Sequence, residues 1–198
     1  MKYIVGLGNP EEKYEGTRHN VGRDIVEAFA KKFKLPLFEE NKKINALVTE
    51  GKVGKVKVML ILPETYMNKS GNALKKIVTS KKKAGEMIVV YDELDLGVGD
   101  IKVSFNKSSG GHRGVESVIK SVGTKEFARL RIGISKKLAS GRIKKVIGDE
   151  GVQKHVLGKF SPGDAIDMKK VVKRAVSALE VAVSEGYQSA SNKLPGLK

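Results

Sequence analysis

Apolar residues recur along the chain in short runs, some with strand spacing and some with helical spacing. Runs rich in β-branched residues predict strands over residues 2–7, 44–49, 56–62, 87–91, 101–105 and 130–134. Apolar positions three and four apart predict helices over residues 20–33, 67–79, 115–122 and 162–185. Strands that alternate with helices, together with one hairpin joined through residues 51–54, predict an α/β sandwich with a twisted mixed sheet flanked by helices.

Two segments lack this patterning. Residues 136–151 are rich in Lys and Arg and poor in apolar residues, which predicts a mobile basic segment. Residues 186–198 follow the last predicted helix, and we expect them to form a frayed tail. Because the 198 residues show no internal repeat or break in composition, residues 1–198 are predicted to form a single domain.

Composition bears on three questions: whether the chain binds a metal or cofactor, whether it associates with a membrane, and where in the cell it acts. The chain has no cysteine, and its three histidines are far apart in sequence. We therefore expect no metal site and no cofactor. No apolar run approaches the roughly 20 residues of a membrane helix, so we expect no membrane association. The first apolar run of the sequence is too short for the apolar core of a secretory signal, and the chain has no cysteine. Both features predict a cytoplasmic protein.

The net charge of +16 favours an anionic partner. Lys and Arg that neutralise phosphates release counterions, which gives affinity for any nucleic acid regardless of its sequence. A lysine-rich surface can also serve only to keep a protein in solution. The charge alone therefore makes nucleic acid the leading partner class without establishing it.

Polar clusters follow predicted strands or precede predicted helices at three places. Asn9 follows the first strand and His19 precedes the first helix, residues 66–68 join a strand to a helix, and Asp92 follows the strand over 87–91. Since ligand crevices in open α/β sheets lie at the carboxyl ends of strands, these clusters are expected to converge. An imidazole can take a proton from water, a carboxylate can hold its tautomer, and carboxamides can stabilise an oxyanion.

The position of His19 suggests how such a site could work. Asn20 is predicted to cap the first helix, and the positive end of that helix would keep His19 neutral and able to accept a proton. The sequence has neither a G-x-S-x-G motif nor a cysteine, which favours direct attack by water over an acyl-enzyme. An isolated His or Asn near a turn is more often a cap or a surface hydrogen-bonding group, so the residues alone leave both interpretations open.

Glycine-rich stretches raise two further possibilities. Gly6 and Gly8 begin a dinucleotide-binding pattern, but Glu11 stands where its third glycine belongs, so a nucleotide-dependent enzyme is not expected. Gly110 and Gly111 precede a predicted helix, where they could hold a phosphate through backbone donors or simply form a tight turn.

Several longer motifs stand in a fixed order. They are GLGNP at 6–10, TRHNVG at 17–22, PETYMNKSG at 63–71, DELDL at 92–96, SGGH at 109–112, FARLRIGI at 127–134 and VLGKF at 156–160. In their order and spacing they closely resemble the bacterial-type peptidyl-tRNA hydrolases. The resemblance covers nearly the whole chain.

The resemblance implies a monomeric, metal-independent esterase without an obligate protein partner. Its substrate would be peptidyl-tRNA, bound at the acceptor end and cleaved between the peptide and the 3′-terminal adenosine. The implied catalytic residues are His19 as base, Asp92 as its orienting partner, and Asn9 and Asn68 as positioning groups. The implied substrate-binding residues are Tyr14, Tyr66, Met67, Asn68, Gly110, Gly111, His112 and Arg113. The implied tRNA-binding residues are Arg131, Lys136, Lys137, Arg142, Lys144 and Lys145.

Three positions depart from the pattern of this family. Arg113 stands where an asparagine is usual, Ser104 where a basic residue is common, and Glu11 where a glycine is usual. Arginine is always charged and only donates hydrogen bonds, so it could bind phosphate or carboxylate but cannot replace an amide acceptor. Arg113 keeps open the alternative of a catalytically silent RNA-binding relative, whereas His19 and Asp92 argue against it.

Overall fold

The structure, a computed structural model, describes residues 1–197, and its centre is one mixed sheet of seven strands. The strands are β1 (Lys2–Gly6), β2 (Glu39–Asn41), β3 (Ala46–Val53), β4 (Val56–Pro63), β5 (Met87–Gly97), β6 (Ile101–Phe105) and β7 (Ala128–Ser135). Their order in the sheet is β2-β3-β4-β1-β5-β7-β6. β4, β1, β5 and β7 run parallel, while β2, β3 and β6 pair antiparallel to their neighbours.

Helices cover both faces of this sheet. The α-helices are α1 (Val21–Lys32), α2 (Lys81–Gly85), α3 (Arg113–Val122), α4 (Asp149–Leu157), α5 (Pro162–Glu185) and α6 (Tyr187–Lys193). The 3-10 helices are Glu12–Tyr14, Arg18–Asn20, Met67–Leu74 and Leu194–Gly196. The predicted bounds of α5 are confirmed. The helix starts after Ser161 because the side chain of Ser161 accepts a hydrogen bond from the amide of Asp164 in the first turn.

Alternate residues of the central strands face two separate core clusters. Ile88 and Val90 of β5 pack with α1 and α5, whereas Met87, Val89 and Tyr91 pack with α3 and the 3-10 helix Met67–Leu74. A strand that is apolar on both sides needs cover on both faces. The predicted α/β sandwich is therefore confirmed.

Two glycines let the layers approach closely enough to form the site. A Cβ on Gly22 would overlap the carbonyl oxygen of Val90, so α1 lies directly against β5. A Cβ on Gly71 would overlap the carbonyl oxygen of Ser117, so the helix Met67–Leu74 lies directly against α3. The first approach brings the turn that carries His19 toward β5, and the second brings Met67 toward α3.

Two strands extend four or more residues beyond their predicted ends. β5 was expected to end before Asp92, but it continues to Gly97 because it keeps pairing with β7 past Glu93. β3 continues to Val53, which lies opposite Val56. The hairpin turn is therefore shorter than the predicted connection over residues 51–54.

The prediction of a single helix over residues 67–79 is wrong. The structure has a 3-10 helix to Leu74 and then the separate helix α2. In the predicted mobile segment, Lys137 and Ile143 form an antiparallel bridge, the amide of Lys144 donates to the carbonyl of Lys136 at 2.8 Å, and α4 begins at Asp149. Short β2 and helix α4 were not predicted.

The prediction of a frayed tail is also wrong for residues 187–196. Ala190 and Leu194 lie four positions apart on this helical segment and are buried in the core cluster that includes α5. The ring of Tyr187 stacks on Phe105 of β6, with 4.6 Å between the centroids. Lys198 lies outside the described residues.

Candidate active site

The carboxyl ends of β1, β4 and β5 open onto one cleft of about 500 Å³. Asn9 lies in the loop after β1, His19 in the 3-10 turn before α1, and Met67 just beyond β4. Asp92 comes from within β5 because that strand is longer than predicted. All four residues line the cleft, so the structure brings the predicted clusters together.

His19 and Asp92 form the central pair of this cleft. The Nδ1 atom of His19 lies 2.9 Å from both carboxylate oxygens of Asp92. The Asp92 side chain is only 1% exposed, so its charge faces the imidazole rather than water. With the Nδ1 hydrogen donated to Asp92, the Nε2 atom of His19 is the nitrogen that can accept a proton.

A second imidazole shares the same carboxylate. The Nε2 atom of His112 lies 2.9 Å from Oδ1 of Asp92, and its Nδ1 accepts from the amide of Val115 at 3.2 Å. Because Nδ1 accepts, the neutral ring carries its hydrogen on Nε2 and donates it to Asp92. Two histidines that are distant in sequence therefore meet at one buried carboxylate.

The electrostatics of this group follow from burial and mutual attraction. Burial raises the pKa of Asp92, but His19 and His112 outweigh it and hold that pKa well below its ordinary range. Burial lowers the pKa of His19, but the charge and hydrogen bond of Asp92 outweigh it, so the pKa is raised. Arg113 opposes that rise. Asp92 thus shifts the pKa of His19 in the direction opposite to the one predicted from the helix start, which favours the neutral form.

The same three residues also form a set of possible metal ligands. The ligand atoms of His19, Asp92 and His112 all lie within 4.8 Å of one another. Imidazole and carboxylate groups suit divalent transition metals, although the hydrogen bonds among the three side chains already account for their approach. Spacing in the sequence gave no hint of this cluster, and metal independence stays a prediction.

Asn9 is held in one orientation by backbone groups. Its Oδ1 accepts from the amide of Met67 at 2.8 Å, while Oδ1 of Asn20 accepts from the amide of Asn9 at 2.9 Å. In the described chain this leaves the Nδ2 group of Asn9 as a donor for a ligand in the cleft. Asn20 occupies the N-cap position of α1, as predicted, but its side chain makes no capping hydrogen bond and ties down the Asn9 loop instead.

Most of the other predicted substrate-binding residues form the rim. The rim includes Tyr14, Tyr66, Asn68, Gly110, Gly111 and Arg113. The hydroxyl of Tyr66 donates to Oε1 of Glu11 at 2.6 Å. Glu11 has a φ of 79°, in the left-handed region that glycine adopts most easily. This conformation explains why glycine is usual at that position in the family that the sequence resembles.

The residues predicted to bind tRNA lie on and after β7. Nε of Arg131 lies 3.0 Å from Oε2 of the buried Glu93. Lys137 is paired with Asp100 at 2.7 Å, so its charge is partly neutralised. The other members of the basic segment are exposed, namely Lys136, Arg142, Lys144 and Lys145.

One wall of the cleft was not predicted from the sequence. That wall comes from α4 and consists of Asp149, Val152, Gln153, Val156 and Leu157. Acidic residues in its first turn and Lys154 and His155 in its last turn were available signals of this helix. Nη1 of Arg18 donates to the carbonyl of His155 at 3.2 Å and fixes the end of α4 beside the turn that carries His19.

An imidazole paired with a buried carboxylate, at the crevice of a mixed α/β sheet, provides a general base and its orienting partner, as in an α/β enzyme. The profile of the family described as "Peptidyl-tRNA hydrolase" matches residues 3–198. The chain belongs to the peptidyl-tRNA hydrolase family.

Curated relatives and solved structures agree with this assignment. A peptidyl-tRNA hydrolase of Aquifex aeolicus is 44% identical over 185 residues, covering 92% of this chain and 90% of the relative. One from Thermodesulfovibrio yellowstonii is 40% identical over 195 residues and covers 97% of each chain. A crystal structure of peptidyl-tRNA hydrolase from Acinetobacter baumannii has a TM-score of 0.87 at 31% identity, covering 100% of this chain and 96% of that one.

Proposed function

We propose that the cleft hydrolyses the ester of peptidyl-tRNA with a water molecule that His19 activates. Hydrolysis of peptidyl-tRNA is the activity that family membership gives the chain. The observation that carries the mechanism is the 2.9 Å contact between Nδ1 of His19 and the buried Asp92. This contact leaves Nε2 of His19 to take a proton from water.

The reaction balances with the groups of this cleft. Nε2 of His19 accepts one proton of the water while its oxygen attacks the ester carbonyl, whose electron pair moves to the carbonyl oxygen. Asn9 Nδ2 donates to that oxyanion. When the carbonyl re-forms, the bond to the ribose oxygen of the terminal adenosine breaks, and that oxygen takes the proton from His19. The products are the free peptide and tRNA.

The rim residues have supporting roles in this proposal. Asn68 is exposed at the start of the helix Met67–Leu74 and positions the ester together with Asn9. Tyr14, Tyr66 and Met67 contact the substrate, and Gly110 and Gly111 leave space for it. His112 acts through Asp92, which makes it a positioning residue.

The pH dependence of peptide release tests the mechanism. Only neutral His19 can act as base, and the pKa of His19 is raised by Asp92. We therefore expect kcat/KM to rise with pH along an acid limb centred above about 6.5, the ordinary value for histidine. Release of peptide and tRNA from an N-blocked aminoacyl-tRNA measures it. A rate independent of pH from 5 to 8 would contradict the role of His19, and no release at any pH would favour the silent RNA-binding alternative.

We propose that the exposed basic segment and Arg131 hold tRNA phosphates. Replacing Lys144 and Lys145 with glutamine should raise KM for peptidyl-tRNA and make the slope of log(kcat/KM) against log[salt] shallower, because fewer counterions are released. A short adenosine ester, which lacks the tRNA body, should be cleaved at the wild-type rate.

The matched control replaces Lys55 and Lys57 with glutamine. These exposed residues lie in and just after the β3–β4 hairpin turn, at the end of the sheet opposite the cleft. Removing them changes the net charge equally but should leave the salt slope unchanged. An equal loss in both double variants would show that total charge, rather than this segment, binds the tRNA.

We further propose that the enzyme acts as a monomer in the cytoplasm. All groups of the proposed mechanism come from one chain, and the net charge of +16 disfavours self-association. Within residues 1–197 no helix is both long and apolar enough to cross a bilayer. Light scattering of the purified protein tests the oligomeric state.

A further inference from the structure

Arg113 has an unusual place among the residues around the cleft. Of the described residues that line it, Arg113 is the only lysine or arginine, whereas Asp92, Glu93 and Asp149 are acidic. Its side chain is 71% exposed at the start of α3. The mouth of the cleft therefore has one cation that can meet an incoming anion.

The present partner of Arg113 is weakly held. Nη2 of Arg113 lies 3.7 Å from Oδ2 of Asp149, which begins α4 on the other side of the cleft, and the Asp149 side chain is 97% exposed. So long and exposed an ion pair contributes little, since both groups remain hydrated. An anion that makes direct hydrogen bonds to the guanidinium would displace Asp149.

The other acidic groups of the cleft are already engaged. Asp92 accepts from two imidazoles, and Glu93 is paired with Arg131. Among the cleft residues within 1–197, Asp149 is thus the only carboxylate that an incoming anion has to displace from Arg113. The nearby loop leaves room for a ligand, because a Cβ on Gly110 or Gly111 would meet nothing within 4 Å.

We propose that Arg113 is a specificity-determining residue that exchanges Asp149 for an anionic group of the substrate next to the scissile ester. This inference rests on the proposed function of the cleft. The planar guanidinium binds phosphate and carboxylate through paired hydrogen bonds. Two parts of the substrate could supply the anion: the phosphodiester that precedes the terminal adenosine, or an acidic side chain of the peptide.

The charge of Arg113 also affects the base. Arg113 acts against Asp92 by lowering the pKa of His19. A bound anion would neutralise this effect, so occupancy of the subsite and the basicity of His19 would change together. This coupling fits an anion bound beside the reacting ester.

Four N-blocked dipeptide esters separate the two sources of the anion. The peptide carries either glutamate or glutamine next to the ester-forming residue, and the alcohol is either adenosine or the dinucleotide cytidylyl-adenosine. For the wild type we expect kcat/KM to be about tenfold higher with one of the two anions, either glutamate or the phosphodiester, than with the matched compound that lacks it. This is the size expected for a charge-assisted hydrogen bond. Arg113→Gln should lose this preference, and Asp149→Asn should increase it.

Lys120→Gln is the matched control, since it removes an exposed cation from the last turn of the same helix, away from the cleft. This variant should keep the wild-type preference. Calorimetric titration with uncleavable amide analogues gives the same comparison when turnover of the short esters is slow. Equal kcat/KM and equal affinity for all four compounds, or a preference that survives in Arg113→Gln, would overturn the inference. Failure of the wild type to cleave peptidyl-tRNA would instead overturn the proposed function.

Discussion

Replacing His19 with alanine is expected to lower kcat for peptidyl-tRNA by about 10²–10⁴-fold, the usual cost of losing a general base. No other imidazole in the described chain can substitute, because His112 uses both ring nitrogens and His155 is bonded to the carbonyl of Ile134. KM should stay within about threefold, since the phosphate contacts that we propose lie away from the base. Steady-state kinetics with N-blocked aminoacyl-tRNA measures both constants.

His155→Gln serves as the control for this variant. Its ring donates to Ile134 at 3.0 Å, outside the lining of the cleft, and glutamine can replace that donor. We expect this variant to retain nearly all activity. If His19→Ala also turned over at nearly the wild-type rate, His19 would not be the base.

Asp92→Asn is expected to reduce kcat by an amount similar to the loss of the base itself, about 10²–10⁴-fold. The carboxylate accepts from two imidazoles at 2.9 Å, whereas an amide has one acceptor oxygen and its NH₂ group would face a ring nitrogen. His19 would then lose the partner that fixes its tautomer. The variant should fold, because asparagine has nearly the same volume.

The residual activity of Asp92→Asn gives a second readout. Asp92 raises the pKa of His19 against the opposing effect of burial. Without that charge, burial should lower the pKa, so the acid limb of the pH profile should move to lower pH. Asp95→Asn, at an exposed position of the same strand, should leave both rate and pH profile unchanged. A pH profile of Asp92→Asn identical to the wild type would contradict the proposed pairing.

The shared carboxylate shows why the chemistry was only partly predictable. His19, Asp92 and Asn9 were predictable from their positions beside strands and from the family motifs. The placement of His112 on Asp92 requires α3 to begin beside β5, and local patterns do not show how a helix packs against a strand residue 20 positions away. The raised pKa of His19 likewise results from a neighbour 73 positions away in the sequence.

Local sequence patterns predicted an element well where its apolar spacing and its capping residues indicated the same bounds. The start and end of α5 follow from a serine cap, a proline in the first turn and a regular apolar face. Predictions failed where long-range contacts decided the outcome, as in the extension of β5 along β7 and the docking of Ala190 in the core. Helix α4 was not predicted because its apolar pattern is weak, since Val156 alone of its residues is buried.

The sequence by itself determined the alternation of strands and helices, the positive charge and the family motifs, since each depends only on residue types and their order along the chain. The tertiary structure decided which side chains meet: Asp92 with two imidazoles, Asn9 with Met67, and Arg113 with Asp149 across the cleft. These contacts join residues on separate elements, and their geometry depends on how closely the layers pack. Side-chain spacing along the chain cannot specify that distance, so only the folded molecule does.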